Sequence, residues 1–162
     1  MGKTFPISDS HRRVVSVVLP MRDSNAAPNE PERARPPSVL IVDDVSDARE
    51  MYGLYFRKAG FTVFTASDGR GGITLAREHR PDVIIMDMAM RGMDGITATR
   101  EIKRDARLRK IPVIILTGYP MRAVQDGALE AGADAFLTKP CLPEDLEQQV
   151  RRLLDRDDKR SR

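Results

Sequence analysis

Tryptophan is absent from this 162-residue chain, aromatics make up only 5% of it, and there is one cysteine. So few aromatics leave the core to aliphatic side chains and to some of the eight methionines. A single Cys141 excludes an internal disulfide and fits a reducing compartment. No apolar run approaches the roughly 20 residues that a membrane span needs. Val14-Val15-Ser16-Val17-Val18-Leu19 follows His11-Arg12-Arg13, but it is too short for a signal peptide and lacks a small-residue cleavage site. A cytoplasmic location without membrane contact is therefore expected. An excess of one charge is missing too, since 27 basic residues are interspersed with 24 acidic ones, for a net charge of +3. That balance permits a weak nucleic-acid interaction without arguing for one, and no direct nucleic-acid contact is expected. Repeats at a solenoid period are also absent. What remains, 41% apolar residues, is an ordinary supply for the core of one domain.

Proline is plentiful, but its placement is uneven. Six of the eleven fall in residues 1–37, where Pro28, Pro31, Pro36 and Pro37 forbid a helix. A disordered extension is expected there, with only residues 14–19 able to order as an edge strand or docking peptide.

From Ser38 the texture changes. Val39-Leu40-Ile41-Val42 and Val83-Ile84-Ile85-Met86 are continuous apolar runs, the mark of strands buried on both faces of a parallel sheet. The first ends on Asp43-Asp44 and the second on Asp87. A third such run covers 111–117, with Pro112 at its start where a missing N–H is tolerated. Shorter strands are expected over 61–66 and 133–138. Helices alternate with them. The first is capped by Ser46 or Asp47, carries Ala48, Met51, Tyr52, Leu54, Tyr55 and Ala59, and stops at Gly60. The others run over 69–79 and 123–131, with 97–104 as the amphipathic end of the helix between them, and a last one opens at Pro143 with Leu146, Val150, Leu153 and Leu154 on one face. Five strands alternating with five helices form an α/β, doubly wound parallel sheet, for which the flavodoxin-like order 2-1-3-4-5 is the leading candidate. The domain is expected over 38–156, with a charged tail over 157–162.

In such a sheet the C-terminal strand ends gather at one edge, where ligands bind. They present Asp43, Asp44, Asp87, Thr117 and Lys139. Three crowded carboxylates raise one another's pKa unless a cation joins them. A hard divalent ion is the natural partner, Mg²⁺ best and Mn²⁺ as an alternative. Asp44 and Asp87 are expected as direct ligands, Asp43 directly or through water, and the backbone carbonyl near Ala89 completes the protein's share. Lys139 offers a point cation for a phosphoryl oxygen and Thr117 a hydroxyl donor. Alone, each residue has a bland reading: a helix cap for Asp43-Asp44 or Asp87, a turn hydroxyl for Thr117, a solvated charge for Lys139. Together at strand ends they describe an aspartyl nucleophile with charge neutralisation around an incoming phosphoryl group.

Asp43-Asp44, Asp87, Thr117-Gly118 and Lys139-Pro140, in this order and spacing, resemble the receiver domain of two-component response regulators, and Gly92-Met93-Asp94-Gly95 resembles the loop after that family's phosphoacceptor. The resemblance implies that Asp87 takes phosphate from a histidine kinase or histidine phosphotransfer protein and that Mg²⁺ is required. It implies that Thr117 and Lys139 bind the phosphoryl oxygens, that Phe136 is the switch aromatic, and that the Lys139-Pro140 bond is cis. It also implies a signalling domain rather than an enzyme, at most one with Mg²⁺-dependent self-phosphorylation and self-dephosphorylation. Output would then pass through a changed protein-binding surface, the face of helix four, strand five and helix five, where an unknown target or a second copy docks. No output domain is expected after the last helix.

Three positions depart from the family's pattern. Arg91 stands where proline is common, and Ala89 and Tyr119 occupy positions that modulate phosphate lifetime. Slow self-hydrolysis is expected, because Ala89 cannot orient a water and Tyr119 can shield the acyl phosphate. Competing readings are a pseudo-receiver acting as a phosphorylation-independent scaffold, and an aspartyl phosphatase. The second lacks an acid two residues after the nucleophile, where Ala89 stands. Cys141 is expected as a small buried hydrophobe. Met86 is expected in the core, with Met88, Met90 and Met93 as loop residues.

Overall fold

The computed structural model describes residues 35–160. The expectations for residues 1–34, disorder and a strand over 14–19, lie outside the described residues. The elements are β1 (Ser38–Val42), α1 (Ser46–Lys58), β2 (Thr62–Ala66), α2 (Gly69–His79), β3 (Val83–Asp87), α3 (Gly95–Arg104), β4 (Val113–Thr117), α4 (Arg122–Glu130), β5 (Ala135–Thr138) and α5 (Pro143–Arg160). The five strands form one parallel sheet in the order β2-β1-β3-β4-β5. Burial follows that order. Every residue of β1, β3 and β4 is buried, whereas β2 exposes Thr62 and Thr65 and β5 is only partly covered. The continuous apolar runs are thus the three inner strands, and the weaker patterns are the edges.

Alternate strand residues feed two cores. Leu40, Ile84, Met86 and Ile115 pack with Ile73, Ala98, Ile102 and Ala128 from α2, α3 and α4. Val39, Ile41, Ile85 and Leu116 pack with Tyr52, Phe56, Leu146 and Val150 from α1 and α5. Strand side chains alternate between faces, so one sheet supplies both. Among the described residues no helix is long and apolar enough to cross a membrane.

Several local expectations need correction. Neither Ser46 nor Asp47 caps α1. Val45 is the cap residue without a side-chain bond, and Asp43 Oδ1 accepts its N–H at 2.9 Å. The carboxylate two residues ahead thus anchors the chain where it enters the helix. On α1, Met51 and Leu54 are exposed, while Tyr52, Gly53 and Phe56 are buried. The i, i+4 pair 52/56 faces the sheet, which leaves 51 and 54 on the outer side. Met90 lies in the loop after β3 as expected but is buried in the core at 9% exposure, and Met88 and Met93 pack partly against the same core. Strands β4 and β5 start two residues later than expected. Pro112 still offers its carbonyl to the Ile84 N–H, and Asp134 N–H bonds to Val113 O outside the strand. Helix α5 runs from Pro143 to Arg160, since no glycine or proline interrupts it.

Candidate functional site

Going outward from β1 the sheet adds β2 on one side and β3 on the other, so the crevice at this reversal lies beyond the ends of β1 and β3. Parallel register sets Val42 beside Met86, which brings Asp43 next to Asp87. Asp87 in turn sits opposite Leu116, and Thr117 opposite Thr138. Lys139 leaves β5 with its N–H on the Thr117 carbonyl at 2.7 Å, and its bond to Pro140 is cis. Its Nζ donates to Asp43 Oδ2 at 2.9 Å and pairs with Asp87 Oδ1 at 3.1 Å. Residues 96 and 52 positions away in sequence thus meet on one ammonium.

Asp43 and Asp87 are buried and Asp44 is half-buried. Burial raises the Asp87 carboxyl above the usual carboxylate range, Asp43 adds repulsion, and the Lys139 contact opposes both. Burial works to lower the Lys139 pKa, but its bonds to Asp43 and Asp87 outweigh that and hold the ammonium protonated more firmly than usual.

The other expected residues lie around this group. Thr117 is fully buried at the end of β4; its Oγ1 accepts the Tyr119 N–H at 2.9 Å and lies 3.6 Å from Met88 Sδ. Phe136 is half-buried in β5 beside Ile115 and packs against the α2–α4 core. Ala89 and Arg91 are exposed on the loop after Asp87, and Tyr119 is 57% exposed. The half-buried Cys141 has its thiol pKa pushed up by burial.

Sequence reasoning passed over several residues that hold the site in shape. Asp94 caps α3 by accepting the Thr97 N–H at 2.8 Å, and Gly95 N–H bonds to Met88 O at 2.9 Å. A Cβ on Gly95 would collide with the Asp87 carbonyl oxygen, so only glycine lets α3 start this close. The Met93-Asp94-Gly95 signal was visible; this steric reason was not. Arg49 donates to the Asp43 carbonyl at 2.7 Å, and Tyr52 Oη donates to the Cys141 carbonyl at 2.8 Å, tying α1 to the segment after Lys139. No local pattern marks those two.

The donor chemistry suits a hard dication. Asp43, Asp44 and Asp87 each offer a carboxylate oxygen, and these lie within 4.8 Å of one another. Oxygens around an octahedral Mg²⁺ at about 2.1 Å stand about 3 to 4.2 Å apart, so small side-chain adjustments suffice. Three carboxylates against one ammonium leave two negative charges, which a dication balances.

The model of the response regulator receiver domain matches residues 39–151. The Pseudomonas aeruginosa protein PilH is 39% identical over 118 residues, covering 72% of this chain and 96% of that protein. Among solved structures, the chemotaxis protein CheY4 of Vibrio cholerae superposes with a TM-score of 0.70 at 32% identity, covering 72% of this chain and 98% of CheY4. The receiver domain of the sensor histidine kinase PA1611 from Pseudomonas aeruginosa PAO1, with a magnesium ion coordinated in its active-site cleft, does so with a TM-score of 0.69 at 28% identity, covering 74% and 98%. The chain spans about half the length of the transcriptional regulators it also matches. The strand order, the acidic cluster with its lysine, and these likenesses agree: the chain belongs to the response regulator receiver family, the signalling domains of two-component systems.

Proposed function

We propose that Asp87 accepts a phosphoryl group from the phosphohistidine of a histidine kinase or histidine phosphotransfer protein. The observation that carries this reading is the Lys139 ammonium, 2.9 Å from Asp43 and 3.1 Å from Asp87 at the crevice. A carboxylate oxygen of Asp87 forms a bond to phosphorus as the bond to the donor's imidazole nitrogen breaks, giving an acyl phosphate. Asp43, Asp44, Asp87 and the Ala89 carbonyl would hold Mg²⁺, or Mn²⁺ in its place, which supplies positive charge for the phosphoryl oxygens. Lys139 takes a second phosphoryl oxygen and Thr117 a third. Thr117 then moves toward the phosphoryl group, and Phe136, whose strand neighbours β4, turns inward with it. The face of α4, β5 and α5 is read as the output surface, for an unknown protein target or a second copy, and exposed Tyr119, Met121 and Leu129 stand on or just before α4. The functional unit is taken as 38–156, in the cytoplasm and without direct nucleic-acid contact.

Incubation with acetyl phosphate and Mg²⁺, read by intact mass, tests this. The wild-type chain is expected to gain one phosphoryl group and the Asp87→Asn chain none. Loss of the group over minutes or longer fits Ala89 and Tyr119. No gain in either chain would favour a phosphorylation-independent scaffold.

A further inference from the structure

We infer that Met88 is a reversible oxidation site through which a peroxide lowers phosphorylation of the neighbouring Asp87. This rests on the reading of Asp87 as the phosphoacceptor. Met88 directly follows Asp87 and is half-buried, with its sulfur 3.6 Å from the Thr117 hydroxyl, within reach of that donor. The same hydroxyl lies 3.5 Å from the Tyr119 carbonyl and accepts the Tyr119 N–H at 2.9 Å. Thr117 is fully buried, so these neighbours are its surroundings. Both acceptors on offer are poor, one a thioether and one a long carbonyl contact, so the hydroxyl leaves them at little cost when a phosphoryl oxygen arrives.

Oxidation reverses that balance. The Met88 sulfur takes an oxygen atom from hydrogen peroxide: an S–O bond forms, the O–O bond breaks, sulfur loses two electrons, and water leaves. The sulfoxide oxygen is a strong acceptor, and the 3.6 Å separation leaves room for it within hydrogen-bond distance of Oγ1. Thr117 is then retained on Met88 and withheld from the phosphoryl group. Sulfoxide reductases return the thioether, so the block is reversible. Of the nearby methionines, Met86 and Met90 are buried, and Met93, half-buried like Met88, lies against Gly69. Among the described residues, Met88 is the methionine whose sulfur meets the Thr117 hydroxyl.

The full chain is treated with hydrogen peroxide, mapped by peptide mass, and given acetyl phosphate with Mg²⁺; a Met88→Leu chain is handled alike. Each is compared with its own unoxidised sample. The expected result is one oxygen added at Met88 and a phosphorylation rate lowered roughly tenfold, about one hydrogen bond's worth. The rate recovers with methionine sulfoxide reductase, and Met88→Leu shows no such loss. Without any phosphoryl donor, the Thr117 methyl resonance shifts on oxidation of the wild type and not of Met88→Leu. An unoxidised wild type that takes no phosphate overturns the phosphoacceptor reading, while the methyl resonance still decides whether the sulfoxide captures Thr117. Equal rate losses in both chains, an unmoved methyl resonance, or a Met88 left intact while exposed Met121 is oxidised would each overturn the inference.

Discussion

At the N-terminal ends of the strands, Asp82 accepts from the Ser38 N–H at 2.7 Å, from the Ser38 hydroxyl at 2.9 Å, and from both terminal nitrogens of Arg35. At the opposite ends, Asp43 and Asp87 share one ammonium between them. The residue type is the same and the surroundings are inverted. Burial alone would raise the Asp82 carboxyl, but the Arg35 and Ser38 donors outweigh it and hold it below the ordinary range. Burial and Asp43 together push the Asp87 carboxyl up. A carboxylate with surplus donors locks two segments together. One with surplus like charge is kept ready for a cation and for an electrophile. Stabilising contacts thus gather at one rim, and the site proposed to take the phosphoryl group lies at the other.

The largest effect expected from this contrast is at the stabilising rim. Asp82→Ala leaves the buried Ser38 N–H without its short acceptor, and it should cost about 2 kcal/mol in urea unfolding while phosphoryl uptake is retained. Next comes the reactive rim. Mg²⁺ at ten times its dissociation constant should stabilise the fold by about 1.4 kcal/mol, seen as a raised thermal midpoint that chelation or Asp44→Asn removes. An unchanged midpoint in excess Mg²⁺ would count against the site. Asp87→Asn removes a like charge from the cluster, so its midpoint without metal should equal or exceed that of wild type, the opposite sign from Asp82→Ala.

Acid gives the mildest test. The Arg107 N–H and the Arg77 guanidinium hold the near-surface Asp105 down to about 2, and Asp82 is held low as well. A depressed carboxyl contributes stability above its unfolded value, and that contribution is lost as pH falls through the folded value. Stability should therefore decline between about pH 4 and pH 2. Arg77→Ala should flatten that decline. A slope identical to wild type would break the assignment to Asp105.

Much of this molecule can be read from residue order. Val39 to Val42, Val83 to Met86 and Val113 to Leu116 are apolar throughout, and a strand buried on both faces leaves that record because every position meets a helix layer. Asp43, Asp44, Asp87, Thr117 and Lys139 could be grouped because each closes or follows a strand, and parallel strands end at one edge. Helix α1 was less legible. Its outer face carries Met51 and Leu54, so hydrophobicity alone misplaces its buried stripe.

Sequence alone determined the alternation of elements, the inner strands and the membership of the acidic rim, because local periodicity and strand ends are properties of adjacent residues. Tertiary structure decided that Asp43 supports the start of α1, that Arg49 and Tyr52 brace the site, that Gly95 must carry no side chain, and that Met88 meets Thr117. The physical reason is distance. Hydrogen bonds and charge interactions act over a few ångströms between residues tens of positions apart, and only packed register brings those atoms together.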